Sequence, residues 1–296
     1  MKYKNTEPKV SIGLPVYNDA ETIEKTINSL LRQTFKNFEL IISDNASDDE
    51  TARICEEFLL KDSRIKYIRQ PYNIGGEENF EFVLKQAKGK YFKWIGGDDW
   101  ISPDFLEVNM LALESNPNYV ASTSPHCFLG DENNFKKHIN FNLTGTLEER
   151  FVTFLQNAFA GQGTFYSLIR TEIIKNHEQF LSSSFAFDWG VHFFLLSKGE
   201  INRTKQGLAV IGFGVSNSKN SWKKIRKKSV EFFIPLYYFN KYALSLIKNL
   251  NYNAWLYVFV NLLKINFQAM KSSYIQTISN IMPIKKFINM IKVLKK

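Results

Sequence analysis

Gly96-Gly97-Asp98-Asp99-Trp100 closes the run Tyr91-Phe92-Lys93-Trp94-Ile95. Two glycines and two adjacent carboxylates after strand-forming residues predict a strand that opens into a tight turn carrying oxygen donors. In an open α/β sheet the C-terminal strand ends face the ligand crevice. Neighbouring carboxylates there can hold a hard divalent cation, which in turn holds phosphate oxygens. Asp is equally common in solvated turns, so the pair gains meaning only from its company.

Two other segments leave apolar runs in the same way. Pro15-Val16-Tyr17-Asn18 follows Val10-Ser11-Ile12-Gly13-Leu14, and Ser43-Asp44-Asn45-Ala46-Ser47-Asp48-Asp49 follows Phe38-Glu39-Leu40-Ile41-Ile42. With the acidic turn they converge on one crevice by the strand-end rule. Asp44 offers an acceptor to a base or ribose, and Tyr17 a ring for stacking, while Asp48 and Asp49 read as caps of the next helix. No G-x-G-x-x-G follows the first strand, which weighs against a dinucleotide enzyme, and no G-x-x-x-x-G-K-[ST] exists. The four histidines, at 126, 138, 177 and 192, lack zinc-site spacing. The remaining solution for a diphosphate is a cation held by the carboxylates after the fourth strand.

These turns need elements to hold them. Apolar runs at 10–14, 38–42, 65–68 and 91–95 read as strands. Residues 23, 27, 30 and 31, then 52, 55, 58 and 59, then 80, 83, 84 and 87 repeat at helical spacing. Ser102-Pro103 reads as an N-cap with proline at the first helical position, opening a helix to about residue 114. Alternation of this kind predicts an α/β fold, with a mostly parallel sheet, right-handed crossovers and helices on its faces. Beyond residue 120 the pattern loosens into strands at 163–169 and 207–213 and helices at 147–159 and 187–197. We expect one domain over 1–218, with a nucleotide-binding half at 1–120 and an acceptor half at 121–218.

The 296 residues suffice for a substantial core. The net charge of +9 hides a partition: from Lys219 onward fifteen Lys/Arg accompany a single acid, Glu231, whereas the first 218 residues carry a net −5. A mildly acidic body with a basic tail argues against a nucleic-acid-binding core and towards a tail that meets an anionic surface. The longest nearly apolar run of the tail, 254–263, is well short of the ~20 residues that span a bilayer. Ile284, Phe287, Ile288, Ile291 and Leu294 share one helical arc, with Lys285, Lys286, Lys292 and Lys296 outside it. This basic amphipathic pattern suits an anionic membrane interface. Cys55 and Cys127 form no disulfide framework, and Met1-Lys2-Tyr3-Lys4-Asn5 leads into a strand without an apolar signal segment. The expected location is cytoplasmic, peripheral on the inner face of the membrane.

At this point the residues resemble family 2 glycosyltransferases, inverting enzymes of the GT-A fold. The opening strand with its P-x-Y-N turn, the strand ending in Asp44, and Ala87-Lys88-Gly89-Lys90-Tyr91 through Asp98-Asp99 and Pro103-Asp104-Phe105-Leu106-Glu107 carry the likeness. It covers residues 8 to 120 most firmly and does not extend into the tail. The resemblance implies that Tyr17 and Asp44 contact a uracil-type base, with Pro15 and Asn18 shaping that turn. It implies that Asp98 is the principal ligand of Mn²⁺ or Mg²⁺, with Gly96 where a first Asp is usual and Asp99 or water filling that role. The family's general base lies at a helix start, which Asp188 fits within Phe185-Ala186-Phe187-Asp188-Trp189-Gly190; a helix cap is the plainer alternative, and Glu172 and Glu178 are rivals. Trp100 and Trp189 are possible sugar platforms or core residues, and Lys93 reads as structural. The 212–218 loop is similar to one that closes over the diphosphate, with Ser216 in place of the usual His or Arg. The absence of Q-x-x-R-W implies single-sugar transfer. The expected function is transfer from a nucleotide-sugar donor, UDP favoured, to a glycan or lipid-linked acceptor in bacterial surface polysaccharide synthesis. The alternatives are an inactive assembly subunit at the membrane and a sugar-nucleotide nucleotidyltransferase.

Overall fold

The computed structural model describes residues 7–132, 141–157, 164–177, 186–212 and 236–281. The first half alternates as expected: β1 (Val10–Val16), α1 (Ile23–Leu31), β2 (Phe38–Asp44), α2 (Thr51–Lys61), β3 (Ile65–Arg69), α3 (Gly76–Gln86) and β4 (Tyr91–Trp94). There follow β5 (Trp100–Ile101), α4 (Phe105–Ser115), β6 (Tyr119–Thr123), β7 (His126–Phe128), α5 (Leu147–Gln156), β8 (Leu168–Arg170), α6 (Thr171–Ile174), α7 (Phe187–Lys198), β9 (Glu200–Arg203) and β10 (Ala209–Ile211). Two helices end the described chain, α8 (Tyr237–Leu246) and α9 (Tyr252–Ile281).

The main sheet has the order β3-β2-β1-β4-β8-β6-β9. The first four strands run parallel, and β8 enters antiparallel between β4 and β6. Every residue of β1 is buried, as a strand covered on both faces requires. In β2, Leu40 and Ile42 pack with α1, α2 and α4 on one face, while Ile41 joins α3, α5 and α7 on the other. That alternation is the period of two that strand geometry imposes. The chain reverses its direction of travel across the sheet between β1 and β4, which places a ligand crevice at their C-terminal ends.

Several local expectations need correction. The strand expected at 207–213 is present as β10, which pairs with β5 and β7 in a separate three-stranded sheet beside the acidic turn, and residue 213 lies outside the described residues. The strand expected at 163–169 shortens to β8, and residue 163 lies outside the described residues. Helix α4 starts at Phe105 rather than after Ser102. Ser102 is held elsewhere, because its amide and hydroxyl pair with the backbone of Leu208 at 2.9 and 2.8 Å.

The described part of the tail is not set apart from the body. Leu236, Phe239, Ala243, Ile247, Leu250, Ala254, Val258 and Leu262 belong to the same apolar cluster as Phe151, Phe154, Phe193 and Leu195. Helices α8 and α9 thus wall the core formed by α5 and α7. No helix among the described residues is long and apolar enough to cross a membrane. The expected boundary at 218 and the amphipathic segment at 284–296 lie outside the described residues.

Candidate active site

Val16 and Asp44 are register partners, so the turns leaving β1 and β2 start level. They are then laced together. Asn18 takes a left-handed backbone (φ 56°), which Asn tolerates better than most residues. Its amide donates to Ser47 Oγ at 3.0 Å, and its Oδ1 accepts the Asp48 amide at 3.0 Å. The Asp19 amide donates to Thr51 Oγ1 at 2.8 Å, and Asp49 accepts the amides of Ala20 and Thr51. Asp49 thus serves the start of α2 and the crevice wall at once. Pro15 is buried and fixes the end of β1, whereas Tyr17 stays 37% exposed with its ring at the mouth.

Asp44 is fully buried. Its Oδ1 accepts the amide and hydroxyl of Ser47 at 2.9 and 2.5 Å, and its Oδ2 accepts the Tyr67 hydroxyl at 2.9 Å. Arg69 Nε stands 3.7 Å from the same Oδ2. Tyr67 and Arg69, both from β3, therefore hold the Asp44 carboxylate from the neighbouring strand. The strand-end rule applied to the third strand would have found Arg69.

The turn after β4 divides its two carboxylates. Asp99 points inward: its Oδ2 accepts the Gly96 amide at 2.9 Å and its Oδ1 accepts the Gly212 amide at 2.8 Å. Thr26 Oγ1 lies 2.9 and 2.7 Å from the carbonyls of Gly97 and Asp99 and fastens the turn to α1. Burial, reinforced by the neighbouring charge of Asp98, pushes the Asp99 carboxyl up to about 6. Asp98 lies over Gly212, where a Cβ would stand 2.1 Å from its Oδ2. Only glycine permits this approach.

A third carboxylate completes the group. Asp19 Oδ2 accepts the Tyr17 amide at 3.0 Å and lies against Gly97, where a Cβ would come within 2.3 Å of it. Burial first, then the charges of Asp98, Asp49 and Asp99, push Asp19 up to about 6. Asp19 went unassigned in the sequence, although it directly follows the P-x-Y-N turn.

Behind the turn, Lys93 is completely buried. Its Nζ donates to the Tyr166 carbonyl and sits 4.5 Å from the Phe105 ring centre. Burial pulls its pKa down to about 7, against the opposing pull of Asp99. The Tyr166 phenol is held well above its ordinary pKa by burial and by the charges of Asp99, Asp98 and Asp188. Phe187, next to Asp188, packs on Trp94 at the end of β4 with ring centres 5.9 Å apart, so the start of α7 lies beside the strand that leads into the acidic turn although the two are far apart in sequence. Nothing local in the sequence marks Tyr166.

Asp188 occupies the first turn of α7 and is open to solvent. Although its surface is exposed, desolvation by the densely packed protein around it raises its carboxyl above the ordinary value, while the amides of Trp189 and Asp188 itself act in the opposite sense. Its rival Glu172 is at the wrong end of the sheet. Arg170 pairs with Tyr91, the first residue of β4, so Glu172 sits beside the N-terminal end of the strand that carries Asp98 at its other end. Glu178, Phe185 and Ser216 lie outside the described residues. Trp189 packs edge-on to Phe154 and Phe239 in the core, and Trp100 lies under Lys25 Nζ at 5.1 Å.

Among the described residues no three His, Cys, Asp or Glu side chains form a ready cation cage. The donor chemistry nevertheless fits a hard cation of the Mg²⁺ or Mn²⁺ type. Such ions are held by one or two carboxylates together with substrate phosphates, and Asp19 and Asp99 are both raised by burial and by facing like charge. A cation opposite Asp98 would relieve that repulsion.

Residues 11–177 match the family described as Glycosyl transferase family 2. A protein of Campylobacter jejuni subsp. jejuni serotype O:2, GalNAc(5)-diNAcBac-PP-undecaprenol beta-1,3-glucosyltransferase, is 30% identical over 173 residues, 57% of this chain and 54% of that one. The chain thus spans about half the length of this relative. Among solved structures, S. aureus TarS 1-349 in complex with UDP-GlcNAc aligns with a TM-score of 0.58 at 19% identity, over 76% of this chain and 66% of that one. The mannosyltransferase PcManGT from Pyrobaculum calidifontis, in complex with GDP-Man and Mn²⁺, aligns with a TM-score of 0.55 at 12% identity, over 95% and 89% of the two chains. At these identities the structural likeness concerns the fold, which is of the GT-A kind.

Proposed function

The chain belongs to glycosyl transferase family 2, and from that premise we propose that it transfers a single sugar, with inversion, from a nucleotide-diphosphate donor to an acceptor hydroxyl. The observation that carries the proposal is the packing of Phe187, next to Asp188, on Trp94 at the end of β4, which brings the start of α7 to the strand that leads into the carboxylate turn. A carboxylate turn at a strand end and a separate carboxylate across one crevice supply the two halves of an inverting transfer.

In this reading the base of the donor lies against Tyr17 in the mouth shaped by Pro15 and Asn18. Asp44 holds that mouth from within, its Oδ2 shared with Tyr67. Asp98 faces the diphosphate as the principal holder of Mn²⁺ or Mg²⁺, with Asp19 beside it, while Asp99 keeps the turn in place through its two amide contacts. When bound, the divalent ion supplies neutralisation of the charge that gathers on the departing diphosphate. Asp188 takes the proton of the acceptor hydroxyl as its oxygen bonds to the anomeric carbon and the bond to the diphosphate breaks. A carboxyl raised above its ordinary pKa is the stronger base for that task.

UDP-sugar is the favoured donor, by analogy with the TarS complex, and a glycan or lipid-linked acceptor is favoured by the undecaprenol-linked substrate in the name of the C. jejuni relative. With such an acceptor, we propose that the reaction takes place at the inner face of the cytoplasmic membrane, in surface polysaccharide assembly. Nucleoside diphosphate release from a panel of UDP-, GDP- and dTDP-sugars, with and without Mn²⁺, tests the proposal. Asp98→Ala and Asp188→Asn are each expected to lower turnover by at least about 10²-fold, with unchanged thermal melting. Full turnover in Asp188→Asn removes it as the base.

A further inference from the structure

Helix α9 carries apolar residues on two opposite sides. Ala254, Val258 and Leu262 repeat every four residues and are buried against the body of the protein. On the far side, Tyr252, Leu256, Val260, Leu263 and Phe267 are 73, 40, 39, 54 and 69% exposed. At 3.6 residues per turn these five fall within an arc of about 80°, and at 1.5 Å per residue they make a ridge about 22 Å long. Isolated apolar residues on a surface are ordinary, whereas a contiguous exposed patch marks an interaction site.

The surrounding charge indicates what covers the ridge. Residues 236–281 contain no Asp or Glu, and the whole stretch from Lys219 onward carries a net +14. Lys264 and Lys271 are exposed, and the helical repeat sets them about 20–40° beyond one edge of the ridge. An apolar stripe bordered by cations, with no acid in the helix, complements a surface that is hydrocarbon beneath and anionic above. That is the description of an anionic lipid leaflet.

We infer that the outward ridge of α9 is a lipid-contact surface on which the protein lies flat against an anionic membrane. The apolar side chains sit at the boundary of headgroups and acyl chains, and Lys264 and Lys271 reach the headgroups. The buried side of the same helix ties this contact rigidly to the core, so the membrane plane fixes the orientation of the crevice. This surface differs from the segment at 284–296 and does not depend on the transfer chemistry.

The test sediments the full chain with vesicles of phosphatidylethanolamine and phosphatidylglycerol, and with phosphatidylcholine alone. Preference for the anionic vesicles is expected to be at least tenfold. The combined variant Leu256→Ser, Leu263→Ser and Phe267→Ser alters exposed side chains only and leaves residues 284–296 in place. It is expected to melt within a few degrees of the parent and to bind anionic vesicles at least tenfold more weakly. Phe267→Trp adds a depth reading: its fluorescence should be quenched by lipids brominated along the acyl chains, beyond the quenching of the parent. Unchanged vesicle affinity in the triple variant, or no added quenching, overturns the inference. So does a dimer that the triple variant converts to monomer while vesicle binding is retained, which would give the ridge to a second copy of the chain.

Discussion

Asp98 and Asp99 are adjacent and identical in type, yet their surroundings give them different work. Asp99 spends its oxygens on the amides of Gly96 and Gly212, while Asp98 lies over the bare backbone of Gly212. Two acidic residues after a strand were legible as a site. Their division was not, because the amide that claims Asp99 comes from a residue 113 positions away. Gly96 gains an explanation from the same contacts. A Cβ there would stand 2.9 Å from Asp99 Oδ2 and 3.3 Å from Asp98 Oδ1, so a side chain at 96 crowds both carboxylates. The approach at Gly212 is tighter still. Gly212→Ala is therefore expected to displace the Asp98 carboxylate and cut turnover by about 10²-fold, the scale of an ångström-level misplacement. Turnover of nucleotide sugar measured beside thermal melting checks this, and parent-like turnover would refute the placement of Asp98.

Among the elements, α7 joins chemistry to core. Its first turn presents Asp188, and its remaining turns bury Val191, His192, Phe193, Phe194, Leu195 and Leu196. The apolar run at 191–196 made a helix legible, but not that His192 would be sealed among Phe154 and Phe165. Neither ring nitrogen of His192 has a hydrogen-bond partner among the described residues, and burial pulls its pKa down to about 3. His177, beside Phe194, is likewise lowered to about 4. The sign follows from linkage: the unfolded chain, with histidine near 6.5, binds protons that the folded chain refuses. Stability from a neutral buried histidine is whole above about pH 6.5 and is lost as pH falls towards the folded values, by up to about 1.4 kcal/mol per pH unit for each. His192→Leu should flatten the decline between pH 6 and 4, leaving the part due to His177 set against the opposite trend of the raised carboxyls Asp19 and Asp99. Urea unfolding at several pH values measures it, and an unaltered slope would show that His192 is not sealed from protons.

For the whole molecule, the basic C-terminal region changes its meaning. Charge alone separated 219–296 from an acidic body, and charge is blind to which face of a helix is buried. The described helices α8 and α9 instead close the apolar surface of α5 and α7 through Phe239, Ala243, Val258 and Leu262. A chain cut after residue 218 is therefore expected to expose that surface, to bind a hydrophobic dye and to lose its cooperative melting transition. A cooperatively melting 1–218 fragment would restore the separate tail. The early strands, their parallel order and the three loops at their C-terminal ends were readable because apolar periodicity and turn chemistry act over a few residues. The inward turn of Asp99, the presence of Asp19 and Tyr166 at the crevice, the remoteness of Glu172 and the core role of α8 and α9 were not. Each depends on where distant segments meet once side chains compete for the same buried space, and a pattern read along the chain carries no measure of that competition.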